Sequence, residues 1–162
     1  ELLMLIVNQN DPKTKTLSTT VMHLERLDNY KVSKSNEIIL AICLQALIHL
    51  LSLGGYELPS NRSYINGENI IPPIGNWDWK CYFNPSLGFS LYKENSESID
   101  LNASEIALIQ RLGNLNLPLK KNGALMGPIY VWLKILDIIE KWIECNLEKQ
   151  ILSLKMLKKI IT

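Results

Sequence analysis

The 162-residue sequence contains few side chains that could act as nucleophiles or metal ligands. It has two histidines, His23 and His49, and three widely spaced cysteines, Cys43, Cys81 and Cys145, with no Cys-x-x-Cys pair. This spacing predicts neither a disulfide framework nor a zinc knuckle, and two histidines alone do not make a metal site. We therefore expect a cytoplasmic protein that needs no metal and no cofactor.

The sequence also lacks the common catalytic motifs. It contains no G-x-x-x-x-G-K-[ST] phosphate loop, no H-E-x-x-H and no G-x-S-x-G. The carboxylates fall on polar helix faces, where nothing separates the pKa values of a pair for acid–base catalysis. These absences favour a protein that is not an enzyme.

Positive charge is concentrated toward the carboxyl end. Residues 1–100 carry 8 Lys and Arg against 11 Asp and Glu, whereas residues 101–162 carry 9 against 5. Such side chains can contact phosphates in a sequence-independent, salt-sensitive way, although a solvated basic tail would show the same pattern. The candidate DNA-binding residues are Lys149, Lys155, Lys158, Lys159, Arg111, Lys120 and Lys121.

One apolar helix is expected to organise the chain. Residues 37–53 are apolar on nearly every side, Asn36 is suited to the N-cap, and Gly54 or Gly55 can adopt the left-handed conformation at the end. A membrane span is the alternative. Sixteen residues rise only about 24 Å, less than a hydrocarbon core of roughly 30 Å, so a buried helix is favoured.

Other segments also have helical period. Asp11-Pro12 predicts the start of a helix over about 12–28 with the apolar stripe Leu17, Val21, Leu24 and Leu27. His23 lies off this stripe and is expected to be exposed or at a rim, whereas His49 is expected to be a satisfied core histidine. Further helices are predicted from the capped segment 102–113, from Pro128 onward, and over 154–161 with Ser153 as its cap; residues 1–7 fit a strand or a helix.

An insert over about 54–100 interrupts the helical pattern. Trp77, Trp79, Cys81 and Phe83 alternate with polar residues, which predicts a half-buried strand, and Phe89 to Tyr92 can return as its partner. The tryptophans could stack on nucleobases, but packing on a core is favoured. The expected fold is therefore a mainly α single domain around one central buried helix, with a small β-hairpin insertion.

The order of these segments resembles a known family. The residues that carry the resemblance are Leu53–Pro59, Asn66-Gly67, the hairpin Phe83–Phe89, the capped segment Leu101–Leu112, and Asn146–Leu157. Together they resemble the helical C-terminal domain of the bacterial recombination-mediator protein RecO, particularly its cyanobacterial forms. The resemblance covers most of residues 1–162, and it implies that an N-terminal OB-fold would lie before Glu1, in a chain cut from something longer.

The resemblance also implies a function. A RecO protein binds single- and double-stranded DNA, anneals complementary strands, works with RecR, and helps to place RecA on DNA coated by single-stranded-DNA-binding protein (SSB). Many members bind zinc through two Cys-x-x-Cys pairs around the inserted loop. Here Ser63 and Asn66 occupy the positions of the first pair and residues 88–94 supply no second pair, so we expect no metal and a hairpin held by aromatic packing.

The resemblance further implies a pocket for the acidic, apolar-tipped tail of SSB. The family's Arg-Phe-Glu-Leu segment reads Gln45-Ala46-Leu47-Ile48 here, which removes one cation from that region. The alternative function, in a different class, is a helical protein-interaction domain that never contacts nucleic acid or a membrane. The candidate partner-binding residues are Gln45, His49, Lys134 and Lys141, and Lys155 could also supply the missing cation.

Overall fold

The computed structural model describes residues 1–7, 14–30, 36–94 and 96–161, which form a helical body with a small sheet. The mainly helical architecture agrees with the expected fold class, and the inserted sheet has three strands where the sequence predicted two. In chain order the elements are α1 (Leu2–Ile6), α2 (Thr14–Tyr30), α3 (Asn36–Leu53), β1 (Lys80–Asn84), β2 (Gly88–Ser90), β3 (Ile99–Asn102), α4 (Ala103–Leu112), α5 (Ile129–Leu147) and α6 (Leu152–Ile161).

Helix α3 is the central element, as predicted. It packs against all five other helices, and its residues Leu40, Ala41, Ile42 and Leu44 have no solvent exposure. Gly55 ends it in the left-handed conformation, with φ of 84°, while the N–H of Tyr56 donates to the carbonyl of Leu51. Among the described residues, α3 alone is long and apolar enough to span a membrane, and its packing within the core favours a buried helix.

The two helices after the sheet begin as the sequence predicted. Asn102 caps α4 in a capping box, since its side chain accepts from the N–H of Glu105 and the Glu105 carboxylate accepts from the N–H of Asn102. Pro128 precedes the first residue of α5. Helix α5 then buries its apolar stripe, including Trp132, Leu136 and Ile139, against α3.

The start of α6 differs from the prediction. The helix begins at Leu152, so Ser153 lies within its first turn rather than at its cap. The Glu1 carboxylate accepts from the N–H and the hydroxyl of Ser153, at 2.7 and 2.6 Å. The hydrogen bond from the Ser153 hydroxyl contributes most to lowering the pKa of Glu1, and the bond from the Ser153 N–H lowers it further. An acidic group from the first residue therefore satisfies a donor that the last helix leaves open.

The inserted sheet has the strand order β2-β1-β3, with both pairs antiparallel. In the sheet register, Phe83 pairs with Phe89 and Cys81 pairs with Leu101. The ring centroid of Phe83 lies 5.0 Å from that of Phe89 and 6.4 Å from that of Trp142. This aromatic packing was expected. The expectation that the whole aromatic stripe would pack on the core was wrong at Trp77, which precedes β1 and is 86% exposed.

Helix α2 packs on α3 through a polar face. Its stripe residues Leu17, Val21 and Leu24 are exposed, whereas Thr16 and His23 are buried. The expectation of an exposed or rim histidine was therefore wrong, since only 2% of His23 is exposed. The physical reason is hydrogen bonding with polar groups of α3, described below. The predicted cap at Asp11-Pro12 lies outside the described residues.

Helix α1 resolves the ambiguity of residues 1–7. The segment is helical over Leu2–Ile6, with Leu2 and Ile6 buried. The side chain of Ile6 lies against Gly54, where an added Cβ would come within 2.8 Å of the Ile6 Cβ. A close approach of this kind explains why the end of α3 carries a residue without a side chain.

Candidate nucleic-acid interface

The basic residues after α5 are Lys149 in the connection to α6 and Lys155, Lys158 and Lys159 on α6 itself. Ile151 and Leu154 are buried against the body, and Leu157 and Ile161 are packed beside them. Among the lysines of α6, Lys159 is exposed and Lys155 is half-buried, whereas Lys158 lies one turn after buried Leu154, on the side that contacts α5. We call the group Lys149, Lys155, Lys158 and Lys159 the terminal lysine face.

The four lysines of this face differ in how they are held. Lys158 forms an ion pair with Asp137 of α5, and this hydrogen bond raises the pKa of Lys158. Lys155 donates to the side-chain oxygen of Gln150 at 2.7 Å. In the described part of the chain, the ammonium groups of Lys149 and Lys159 have no side-chain partner and are exposed. Lys149 and Lys159 are therefore the members most available to a phosphate.

The remaining three candidate cations lie elsewhere. Arg111 donates to the sulfur of Met126 at 3.0 Å, just before α5 begins. Lys120 and Lys121 lie in the turn of the loop that Leu119 and Leu125 close by a β-bridge. Helix α5 is about 28 Å long at 1.5 Å per residue, so Arg111 and Lys149 lie toward opposite ends of it. The structure thus divides the candidates into the terminal lysine face and a second group of cations.

The two histidines form a pair between α2 and α3, in which His23 is buried and His49 is half-buried. The Nε2 atom of His23 lies 3.0 Å from the Nδ1 atom of His49, and the rings are 5.1 Å apart. Desolvation lowers the pKa of His23 to about 4, with further contributions from His49 and Arg26, and desolvation also lowers the pKa of His49. Both rings are therefore neutral near pH 7, and one donates to the other.

Beside this pair, Arg26 of α2 places a positive charge next to Gln45, where residues 45–48 themselves carry none. The guanidinium of Arg26 donates to the Gln45 side-chain oxygen at 2.7 Å and to the carbonyl of Leu115 at 2.8 Å. The Gln45 amide in turn donates to the carbonyl of Asn114 at 2.7 Å. Gln45 is fully buried and its amide is bonded at both ends, so it can hold Arg26 in place but does not offer its own side chain to a partner.

A cavity of about 440 Å³ adjoins these groups. Its walls come from α2, α3, α4 and the segments after α3 and α4, and they mix apolar with polar side chains, among them the acidic residue Glu57. His49 forms part of the wall. Other lining residues are Met22, Ile48, Ile109, Gln110 and Leu115.

The two partner-binding candidates on α5 have different environments. Lys134 donates to the Glu105 carboxylate at 2.8 Å and to the carbonyl of Asp100 at 2.8 Å, which fixes it against α4 and β3. Lys141 is exposed, and within the described residues its ammonium has no side-chain partner. Lys141 can therefore reach a partner, whereas Lys134 would first have to leave Glu105.

No cluster of three or more His, Cys, Asp or Glu side chains with metal-binding geometry occurs among residues 1–7, 14–30, 36–94 and 96–161. Burial raises the pKa of Cys81 to about 12 and also raises that of Cys43, so both thiols are protonated. At the first of the family's zinc positions, Ser63 is buried, and its backbone N–H donates to the carbonyl of Glu68. Backbone hydrogen bonds thus close this loop.

Comparison with known proteins decides the family. The model of the family described as "Recombination protein O C terminal" matches residues 1–155. The chain belongs to the RecO C-terminal family. The polar capping signals and the aromatic hairpin described above are therefore features of a RecO C-terminal domain.

Several named relatives support this membership. The DNA repair protein RecO of Prochlorococcus marinus (strain MIT 9313) is 40% identical over 163 residues, which covers 99% of this chain and 61% of the relative. That of Parasynechococcus marenigrum (strain WH8102) is 41% identical, covering 99% and 59%. The chain thus spans about 60% of the length of these relatives. No significant match was found among solved structures.

The structure also shows functional candidates that the sequence patterns did not predict or, for Trp77, did not favour. Arg26 and His23 are three residues apart and share one face of α2. Polar residues at this helical spacing, beside a leucine stripe, could have indicated that a polar face of α2 contacts the core. Trp77 follows Asn76, whose side chain accepts from the N–H groups of Asp78 and Trp79. An asparagine turn of this kind favours a loop over a strand and could have been recognised.

Proposed function

We propose that this RecO C-terminal domain takes part in DNA repair and homologous recombination, as a non-enzymatic accessory that binds DNA and promotes annealing. The observation that carries the proposal is family membership over residues 1–155, and the terminal lysine face supports it, since residues 149–162 contain four lysines and no acidic residue. The relatives are named DNA repair proteins. Such a role implies a protein working in the cytoplasm on single- and double-stranded DNA.

The physics of the lysine face supports contact with phosphate rather than base recognition. Ammonium groups are compact point charges, and phosphate contacts by them do not depend on sequence. Lys149 and Lys159 contribute most because they are exposed, while Lys158 contributes less because Asp137 already compensates its charge. Binding of this kind suits annealing, which must accept any sequence.

We further propose that this domain cooperates with RecR, with the SSB tail and with RecA loading, as the family resemblance implies. The cavity beside His49 is the proposed place for the apolar tip of an acidic tail. Arg26, held by Gln45, supports this because it returns a cation to the region. Lys141 is a further candidate for the acidic residues of such a tail.

We also propose that residues 1–162 form one domain with its insert over about 54–100, and that an OB-fold accompanies this domain in the whole protein. The relatives are longer than this chain, which leaves room for such a module. An OB-fold would add a second DNA-binding surface.

Fluorescence anisotropy with a single-stranded oligonucleotide tests the DNA-binding proposal. We expect binding that weakens steeply between a low and a moderate salt concentration, because counterions are released. The double variant Lys149→Glu/Lys159→Glu should bind more weakly and show a shallower salt slope, by roughly 0.7 per lost phosphate contact. Lys15→Glu/Lys80→Glu, which reverses the charge at two exposed positions on α2 and β1 outside the terminal lysine face, is the matched control.

If no binding occurs even at low salt, this domain does not bind DNA by itself and the proposal fails for it. If the double variant and the control bind equally well, the domain binds DNA through other residues and the assignment of the terminal lysine face is wrong.

A second candidate function, a protein-interaction domain without nucleic-acid contact, is supported by the exposed stripe on α2. Leu17, Val21 and Leu24 lie one or two turns apart on a solvent-facing surface. A pull-down with RecR and with an SSB tail peptide tests this candidate. Capture that is lost in Leu17→Ser/Leu24→Ser, together with absent DNA binding, would favour it.

A further inference from the structure

A second cavity, which shares no lining residue with the one beside the histidine pair, has exposed aromatic residues at its rim. Its volume is about 510 Å³, and it lies between the loop before β1, helix α4 and the first turn of α5. The side chains that define it are Ile74, Trp77, Leu108, Arg111, Tyr130 and Val131. We call it the rim cavity.

The exposed apolar area of the rim cavity belongs mainly to its rim. Trp77 and Tyr130 are 86% and 67% exposed, whereas the floor residues Leu108 and Val131 are only 7% and 6% exposed. A side chain that inserted deeply would find a floor already covered by its neighbours. A flat ligand resting against the two rings would instead cover the area that is open.

Local backbone structure fixes the positions of the two aromatic residues at the rim. The Asn76 side chain accepts from the N–H groups of Asp78 at 3.1 Å and Trp79 at 3.2 Å, so Trp77 lies at the apex of a tight turn. Gly75 enters this turn with φ of 96°, a conformation that other residues rarely adopt. Tyr130 is held in the first turn of α5. Because local structure fixes the backbone at both residues, only their side-chain torsions have to be ordered when a ligand binds.

The charge at the rim favours an anionic ligand. The carboxylate of Glu105, also in the lining, is paired with Lys134 at 2.8 Å. The guanidinium of Arg111 is not paired with a carboxylate among the described residues, since the acceptor of its hydrogen bond is the neutral sulfur of Met126. A guanidinium that lines the same cavity as two exposed aromatic rings is suited to a flat ring that carries a phosphate.

We propose that the rim cavity binds an unpaired nucleobase of single-stranded DNA, with Trp77 and Tyr130 stacking on the base and Arg111 contacting the adjacent phosphate. This inference rests on the proposed function and gives it a second, stacking component. Every base has a stackable face, so the site would accept any sequence. It would also distinguish single strands from a duplex, whose bases are already stacked.

The test compares two oligonucleotides of equal length, one of thymidines and one of abasic deoxyribose phosphates, by anisotropy with the 162-residue chain. We expect the thymidine strand to bind more tightly. Trp77→Ala and Tyr130→Ala should each weaken its binding by roughly 5- to 100-fold and leave the abasic strand unaffected. Trp77→Phe should retain most of the affinity, and Ile71→Ala, an exposed position in the same loop outside the lining, is the matched control.

The outcomes separate this inference from the DNA-binding proposal. If both strands bind equally well and Trp77→Ala changes neither, DNA binding stands and the stacking site is wrong. If neither strand binds at low salt, both proposals fail. If an acidic peptide with an apolar carboxyl end binds in a Trp77-dependent way while the thymidine strand does not depend on Trp77, the rim cavity is a peptide site and the inference is overturned.

Discussion

Helices α2 and α5 are both amphipathic, yet they turn opposite kinds of face toward α3. Helix α5 buries apolar residues such as Trp132 and Leu136, whereas α2 leaves Leu17 and Leu24 in solvent and turns His23 inward. The free energy that holds α5 therefore comes mainly from removing apolar surface from water, while α2 depends on directional hydrogen bonds. Amphipathic spacing thus identifies two faces of a helix without deciding which one the core receives.

The largest effect is expected from a cavity in the α5 packing. Trp132 is fully buried and its indole N–H donates to the carbonyl of Met126 at 2.9 Å. Trp132→Ala should lower the free energy of unfolding by about 3–5 kcal/mol, measured by urea denaturation. Trp77→Ala, the same substitution at an exposed site, should change it by no more than about 0.5 kcal/mol. Equal effects at the two sites would contradict the assigned core.

The next effect concerns the polar side of α2 and depends on pH. The unfolded chain protonates His23 near pH 6.5, whereas the folded chain keeps it neutral until about pH 4. The unfolded state therefore binds more protons in this window, and the free energy of unfolding falls as the pH is lowered. The loss should reach at most about 3–4 kcal/mol.

Urea midpoints measured from pH 7 to pH 4 check this prediction. His23→Gln should flatten the profile in that range relative to the unaltered chain, because the substituted chain lacks the imidazole that becomes protonated on unfolding. Subtracting one profile from the other removes the contribution of the carboxylates, which titrate in both proteins. Parallel profiles for the two proteins would show that His23 is not held neutral by burial.

A smaller effect is expected where a cation contacts a buried amide. Arg26→Leu leaves the Gln45 oxygen and the carbonyl of Leu115 without their donor, which should cost about 1–3 kcal/mol. In a double-mutant cycle, Arg26→Leu with Gln45→Leu should cost less than the sum of the single changes. Strict additivity would mean that the two side chains do not interact in solution.

The smallest effect is expected on the exposed stripe of α2. Leu24→Ser should change the free energy of unfolding by less than about 0.5 kcal/mol, because its side chain is already largely in water. Thermal and urea unfolding would measure this change. A loss of more than about 2 kcal/mol would mean that the stripe is covered in solution, and would remove the contrast between α2 and α5.

Local signals in the sequence predicted much of the helical framework. Asn102 and Glu105 define the start of α4 by their own hydrogen bonds, and Gly55 ends α3 because few other residues accept its positive φ. Pro128 marks the start of α5 for a similarly local reason. Features like these depend on residues within one turn and can be recognised without knowing the fold.

Other features depend on contacts between distant residues. The Glu1 carboxylate reaches Ser153 across 152 positions, and β3 pairs with β1 through Cys81 and Leu101. The inward orientation of His23 depends on His49, 26 residues away. Each of these contacts satisfies a polar or backbone group that the sequence alone does not show to be unsatisfied.

The candidate site was predicted unevenly for the same reason. The lysines of α6 could be found from composition, but the pairing of Lys158 with Asp137 could not. The exposure of Trp77 follows from the turn at Asn76, which competes with the alternating pattern that predicted a strand. Site residues are thus predictable when their position depends on local spacing and less so when it depends on a partner.

The three cysteines offer a practical way to study the terminal lysine face. Burial keeps Cys43 and Cys81 in the unreactive thiol form, since thiolate rather than thiol is the nucleophile. Cys145 is exposed in the last turn of α5, a few residues before α6. A maleimide dye should therefore attach selectively at Cys145. Its emission would report the approach of a polyanion, and no cysteine would have to be introduced for the labelling.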